Sequence, residues 1–375
     1  MIEMTPNATA SLAAGIREWY DQNRRPLPWR GSRDPYHIWV SEAMLQQTQV
    51  ETVIPYFLRF VRRFPTVAAL AAAPLEEVLK AWENLGYYAR ARNLHAAARK
   101  VVNEMNGRLP DRWDALISLP GIGPYTAGAI LSIAFGERTP AIDANVRRVL
   151  CRIFAVLPAD RQTGKDSQLR HLAESILPEQ EPGRFNEALM DLGATICTPQ
   201  APRCPACPAR SWCRAYELGL QSALPPKRKR VPIPHVEMTA GILRDPQGRL
   251  LIVRRSAEGL LGGLWKFPGG RRQPPESLTD SLQRHIREEL AIEVDVHSRL
   301  ASVDHAFSHF RVTLHAFACD QHATGPRSGA GTEGTWADRQ ELQRLPFSKV
   351  DRKIMAAVGV AGAATPLTGS SRIPE

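Results

Sequence analysis

The stretch QSALPPKRKRVPIPHV, residues 221–236, divides the chain into two parts of different character. Its prolines and four consecutive cations, Lys227 to Arg230, suit neither a helix nor a strand and read as a linker. Before it, apolar residues recur at helical spacing, as in PLEEVLKAWENL (74–85) and ARNLHAAARKVVNEM (91–105), with Pro and Gly marking the breaks. After it the pattern turns β-like. VEMTAGIL, a DPQG turn and RLLIVRR predict a hairpin; a strong helix, SLTDSLQRHIREEL, and a strand, RVTLHAFAC, follow. A chain of 375 residues is too long for one small core, so a multidomain protein is expected. The expected layout is an all-α domain over 1–220, a basic proline-rich linker over 221–235, an α+β domain over 236–358 and a disordered tail over 359–375.

No run of 18 or more apolar residues occurs, so no membrane span is expected. The first residues lack a basic segment followed by a long apolar one, so no secretory signal is expected and the cytoplasm is the expected compartment. The net charge of +10 is spread along the chain with one cluster at Lys227–Arg230, and it suits a polyanionic partner.

Four of the six cysteines crowd into residues 197–213 as C-x6-C-x2-C-x5-C: Cys197, Cys204, Cys207 and Cys213. In a large cytosolic chain such a cluster points to metal or cofactor ligation over disulfides. Pro199, Pro202, Pro205 and Pro208 favour a loop wrapped around a centre. Four thiolates admit zinc and a 4Fe–4S cluster alike.

LPGIGPYTAGAI (119–130) sets Gly121 and Gly123 on either side of Ile122, in a turn between two helices that is too tight for ordinary residues. Such a turn offers backbone N–H groups at the start of the second helix, where a DNA phosphate binds without its sequence being read. In RDPYHIWVSEAMLQQTQV (33–50), Asp34 reads as an N-cap and Pro35 as the first helical residue. Helical spacing then puts Ile38, Glu42 and Leu45 on one face. A carboxyl that interrupts an apolar stripe is partly buried and tends to keep its proton, although a buried salt bridge explains it equally. Asp143, in AIDANVRRV, is a helix N-cap by position.

These stretches carry a family resemblance. The cysteine spacing is similar to the iron–sulfur loop of the endonuclease III superfamily of DNA glycosylases, and LPGIGPYTAGAI resembles that superfamily's helix–hairpin–helix. With WVSEAMLQQTQV (39–50), LGYYARARNL (85–94) and FNEALMDLGATIC (185–197), the chain resembles a MutY-type adenine DNA glycosylase. The resemblance implies an all-α helix–hairpin–helix glycosylase domain holding a 4Fe–4S cluster on the four cysteines. It implies Glu42 as general acid, Asp143 as second carboxylate, and Tyr125 and Asn145 orienting the pair. Trp29, Arg30, Leu45 and Glu187 fall at adenine-pocket positions, although Trp29 and Leu45 also suit a core and Glu187 a solvated face. Gln47 and Tyr87 fall where side chains wedge into the vacated base stack. Members that also nick the strand carry Lys where this chain has Tyr125; a phenol forms no Schiff base, so base removal alone is implied. The implied partner is double-stranded DNA with adenine opposite 8-oxoguanine or guanine, met by a monomer, in the cytoplasm or on the nucleoid of a bacterium.

The second half adds to this. GLLGGLWKFPGG (259–270) and DHAFSHFRVTLHAF (304–317) resemble the MutY C-terminal domain, an α+β Nudix relative, and Phe307, Ser308 and His309 match its 8-oxoguanine-recognition loop. Residues 270–292 keep the spacing of a Nudix box, G-x5-E-x7-R-E-U-x-E-E-x-G-U, with His285 in place of Glu and Ala291 in place of Gly. A Nudix helix gathers carboxylates to hold Mg²⁺ against a pyrophosphate. Glu276, Glu288 and Glu289 survive, but imidazole ligates Mg²⁺ poorly, so nucleotide hydrolysis is not expected. Glu288 and Glu289 suit either a divalent ion or a solvated helix face. Three other readings compete: a glycosylase/lyase for oxidised pyrimidines, opposed by Tyr125; a nucleotide hydrolase on a DNA-binding domain, opposed by His285; and a redox-sensing DNA scaffold without excision.

Overall fold

The computed structural model describes residues 5–156, 164–226, 232–307, 309–322 and 334–360. Lys227–Arg230, Ser308 and residues 361–375 of the expected tail lie outside the described residues. The chain groups into two compact units, Met1–Ala73 with Asn93–Arg230, and Pro74–Arg92 with Val231–Glu375.

The described part of the first unit is helical and contains no strand. The helix Pro35–Leu45 starts as its sequence requires: Asp34 accepts a hydrogen bond from the Tyr36 amide at 2.8 Å, and Pro35 fills the first helical position. Its residues are apolar almost all round, so it is buried from Tyr36 to Met44 apart from His37. It packs against the helix Pro124–Ala134. The helix Pro182–Thr195 packs on Pro6–Asn23, Pro124–Ala134 and Ala144–Ile153, through a core that includes Leu12, Ile16, Leu150, Phe185 and Leu189. Each such side chain contributes about 1.5–3 kcal/mol when buried. Gly193 sets one of these contacts, because a Cβ there would stand 2.6 Å from the Asn145 Cβ.

The second unit holds six strands: β1 (His235–Leu243), β2 (Leu250–Arg254), β3 (Trp265–Lys266), β4 (Val294–Ala306), β5 (Arg311–Gln321) and β6 (Gly334–Ala337). One sheet runs β1-β5-β4 and the other β3-β2-β6. β1 lies parallel to β5, from His235 opposite Arg311 to Leu243 opposite Cys319. This corrects the expected hairpin. The DPQG turn closes, with the Gly248 amide on the Asp245 carbonyl at 2.9 Å and an isolated bridge between Arg244 and Leu250, yet β1 and β2 enter different sheets. Alternating apolar residues fix which face of a strand is buried, not which strand lies beside it.

That alternation separates two cores. Leu250 and Ile252 join Ala240, Ile242, Val312 and Leu314, while Leu251 and Val253 join Leu243, Phe317 and the helix Leu278–Leu290. The helix contributes Leu282, Ile286 and Leu290, one turn apart, and is capped by the Ser277 hydroxyl. It ends at Ala291 in the left-handed conformation, φ 56°, the position where a Nudix box carries Gly.

Pro74–Arg92 belongs to this unit through side-chain bonds. The Trp265 indole donates to Glu76 at 2.6 Å, Glu83 accepts from the Phe347 amide at 3.0 Å and from Arg352 at 2.9 Å, and Arg92 donates to the carbonyls of Gly259 and Gly262. Among the described residues no helix is long and apolar enough to cross a membrane.

Candidate active site

Glu42 comes from the fully packed helix Pro35–Leu45, and its side chain is buried, 5 % exposed. The Tyr125 hydroxyl, from the first turn of Pro124–Ala134, donates to its Oε2. Burial pushes the Glu42 carboxyl up to about 7; the Tyr125 bond and the Arg30 charge pull it down, and Asp143 and Glu187 push it up again. Near neutral pH the group therefore holds a proton that it can give away. The Tyr125 phenol is itself raised, by burial first and by Glu42 and Asp143 next.

Asp143 caps the helix Ala144–Ile153 and accepts from the Val146 amide at 2.6 Å and from Asn145 Nδ2 at 2.9 Å. Burial raises its carboxyl, while these bonds and Arg148 oppose the shift by favouring the anion. Glu42, Tyr125, Asp143 and Asn145 thus form one cluster, in which the two carboxyls meet different partners. Asn145 in turn accepts from Arg148 at 2.9 Å, and Arg148 reaches the Cys197 carbonyl at 2.7 Å.

The remaining candidates divide. Arg30 pairs with Glu187 at 2.6 Å and with Asp191 at 3.1 Å, and the Tyr20 hydroxyl donates to Glu187 at 3.0 Å. Arg30 and Glu187 line a cavity of about 390 Å³ and are both felt at Glu42. Glu187 is therefore no solvated helix residue. Trp29 is core, edge-on to Phe57 at 5.3 Å. Leu45 is half-buried at the end of its helix. Gln47 is exposed and left-handed, φ 57°; Tyr87, in the second unit, is half-buried and left-handed, φ 48°.

The hairpin needs one correction. Gly121 has φ 79°, and a Cβ there would meet Asn93 at 2.8 Å, so glycine is required. Gly123 has φ −98° and nothing within 4 Å of its would-be Cβ, so the turn is not tight at that residue. What Gly123 supplies is an N-cap with no side-chain bond, which leaves the first-turn amides of Pro124–Ala134 without a capping partner.

Asp191 was missed by the sequence reading. It is fully buried and takes both arms of Arg25, at 2.6 and 3.1 Å, as well as Arg30. The available signal was its spacing, one turn beyond Glu187 in an otherwise apolar stretch.

The four cysteines lie in a loop carrying two 3-10 turns, Cys204–Ala206 and Arg210–Trp212. Burial pushes the Cys207 thiol up to about 12, and Cys197, Cys213 and Cys204 push it the same way, so the thiols are mutual neighbours. Arg152 donates to Cys197 Sγ at 3.3 Å and to the Thr198 carbonyl at 2.7 Å. Among the described residues no three His, Cys, Asp or Glu side chains already stand as a metal-holding group. The donor set, four soft thiols beside an arginine that offsets thiolate charge, fits a thiolate-ligated centre.

In the second unit, Phe307 stacks on Phe310 at 4.8 Å and meets His305 edge-on at 4.6 Å, and its amide closes the loop on the Phe310 carbonyl at 2.8 Å. His309 is exposed. Tyr87, Tyr88, Leu261, His305, Phe307 and His309 line a cavity of about 260 Å³.

Residues 40–179 match the family model of the HhH-GPD superfamily base excision DNA repair proteins, and residues 239–357 match that of the NUDIX domain. The chain is 37% identical to the adenine DNA glycosylase of Mus musculus, over 92% of this chain and 77% of that protein. It is 37% identical to that of Homo sapiens, over 92% and 73%. It is 39% identical to that of Mycobacterium tuberculosis, over 71% and 83%. Among solved structures, a thermostable thymine-DNA glycosylase matches 58% of this chain and 100% of its own, at TM-score 0.52 and 31% identity. A non-covalent endonuclease III–DNA complex matches the same shares at TM-score 0.50 and 24% identity, a likeness of fold.

Proposed function

The chain belongs to the adenine DNA glycosylases, and from that premise we propose that the adenine it removes stands opposite 8-oxoguanine or, more weakly, guanine. Base removal rests on Glu42, a buried carboxyl raised to about 7 beside a second carboxyl with hydrogen bonds suited to the anion, and the opposite-base reading on Phe307 and His309, which line one cavity.

Adenine rotates out of the duplex, at a cost of a few kcal/mol of unstacking. Arg30, Leu45 and Glu187 border the base, with Trp29 packing behind them. Glu42 donates its proton to N7, so the base leaves neutral. The sugar develops oxocarbenium character, and ionised Asp143 stabilises that charge. Tyr125 and Asn145 hold the two carboxyls in place. Water completes an abasic site, and without an amine at residue 125 the strand stays intact. Gln47 and Tyr87 fill the vacated stack, and the Gly121–Gly123 turn takes a phosphate. A 4Fe–4S cluster on Cys197, Cys204, Cys207 and Cys213 would hold that loop in shape when bound. Anaerobic purification should give a coloured protein with about four irons per chain, lost on Cys204→Ser.

Phe307, Ser308 and His309 read the opposite purine. The glycosylase role belongs to the residues up to 220 apart from Pro74–Arg92, which packs in the second unit, and the reading role to the residues from 236. The protein acts as a monomer in the cytoplasm, on the nucleoid in a bacterium. The test compares excision opposite 8-oxoguanine and guanine, with and without residues 226–375. Since Pro74–Arg92 packs in the second unit, that truncation also strips partners from Glu76, Glu83 and Arg92. His309→Ala in the full chain is the cleaner probe. It should lower the preference for 8-oxoguanine by about tenfold, the scale of one good base contact; an unchanged preference removes His309 from the reading role.

A further inference from the structure

Every carboxylate that survives from the Nudix box already faces a cationic side chain of the same unit. Glu276 accepts twice from Arg284, at 2.7 and 3.0 Å, and once from the Gln273 amide at 2.6 Å. Glu288 takes another nitrogen of the same guanidinium at 3.1 Å. Glu289 bonds Lys266 Nζ through Oε1 and the Gly269 amide through Oε2, at 3.2 Å. Lys266, buried at 8 % exposure, also donates to the Gly269 carbonyl. His285 stands where a fourth carboxylate is missing. Its Nε2 lies 3.0 Å from the Arg271 carbonyl, and its ring is so close to Gly270 that a Cβ there would meet it at 2.5 Å.

The Mg²⁺ that the NUDIX family implies therefore does not fit. A divalent ion needs several oxygens free to face it, and here Glu276, Glu288 and Glu289 each already face a cationic side chain. Access is not the obstacle, because Lys266 and Glu289 both line a cavity of about 480 Å³. Occupancy is. To reach Glu289 an ion must displace the ammonium and leave it buried without its partner, an unfavourable exchange. Arg255 and Asp351 also act on Lys266; burial lowers its pKa and Glu289 raises it back towards the charged form.

We propose that Lys266 is the resident cation of this unit. Its ammonium bridges the Glu289 carboxylate and the Gly269 turn, and so makes the fold independent of divalent metal. The side chain lies in WKFPGG, and its partner follows 23 residues later on the helix Leu278–Leu290. The role concerns ion binding alone, so it stands or falls separately from adenine excision.

The experiment uses the full chain. Free Mn²⁺ is followed by electron paramagnetic resonance during titration, and the melting temperature is read with and without millimolar Mg²⁺. The native protein should show no Mn²⁺ site that depends on Glu289 and no melting shift. Lys266→Ala should gain both, and Lys266→Ala with Glu289→Gln should lose them again. A Glu289-dependent Mn²⁺ site in the native protein would overturn the proposal. So would a folded Lys266→Ala that gains no Mn²⁺. If Lys266→Ala does not fold, acylation of native Lys266 by an N-hydroxysuccinimide ester decides. Equal protection with and without Mg²⁺ supports the resident cation, and a rise in labelling on adding Mg²⁺ refutes it.

Discussion

The two units treat the same side chain in opposite ways. Glu42 is buried with a phenol as its hydrogen-bond partner, and its carboxyl rises to about 7. Glu276 receives two nitrogens of Arg284 and a backbone amide, and its carboxyl falls to about 2. Arg30, whose charge is felt at Glu42, is already bonded to Glu187 and Asp191. What a carboxyl can do thus depends first on its burial and then on how nearby cations are committed. Where they are bonded to other acids, the carboxyl keeps a proton to give. Where they are bonded to the carboxyl itself, it anchors structure and can neither give a proton nor accept a metal.

The strongest way to break this contrast is Glu42→Gln. It should cut single-turnover excision of adenine opposite 8-oxoguanine by about 10²–10⁴-fold, the scale of one general acid. Native-like excision would end the mechanism. Next is Asp143→Asn, which separates two roles of one residue. Asn caps helices about as well as Asp, so the melting temperature should hold, while loss of the anion lowers excision by about 10²–10³-fold. A large drop in stability instead would make Asp143 mainly a cap.

The pH dependence is a smaller effect with a definite sign. Excision needs protonated Glu42, so its rate should fall as pH rises through about 7. The Tyr125 bond lowers that value, so Tyr125→Phe should move the limb to higher pH. Stability follows the same group. Its folded value lies above the ordinary 4.5, so its contribution is present below 4.5 and is lost as pH rises through about 7. Glu42→Gln should flatten denaturation midpoints across that window. The smallest effect belongs to Glu288→Gln. Glu288 is more than half exposed and shares Arg284 with Glu276, so stability should change by no more than about 0.5 kcal/mol and excision not at all. A loss of activity would show that the second unit's carboxylates do more than anchor.

Much of the Glu42–Asp143 cluster was legible because its signals are local. Asp34 and Pro35 announce one helix start and Asp143 another, and a lone Glu in WVSEAML marks an interrupted apolar face. The helix Leu278–Leu290 was legible through the spacing of Leu282, Ile286 and Leu290. What could not be read was pairing across distance. The partner of β1 is β5, roughly seventy residues away, so a turn motif beside β1 misled. Lys266 looks like an ordinary strand cation until Glu289 is brought to it. Asp191 gains meaning only when Arg25 and Arg30 arrive from the other end of the unit's sequence. Gly123 was overread because the two glycines flanking Ile122 look alike in sequence, and only φ tells them apart.

The placement of Pro74–Arg92 has a consequence for how the chain is made. Glu83 is synthesised more than 250 residues before Phe347 and Arg352, which it bonds. On a ribosome that segment must wait, with its acids solvated, while the whole stretch from Asn93 to Arg230 emerges and packs. Contacts of such sequence separation close slowly. The second unit is therefore last to finish, after the Glu42, Tyr125 and Asp143 cluster of the first is already assembled.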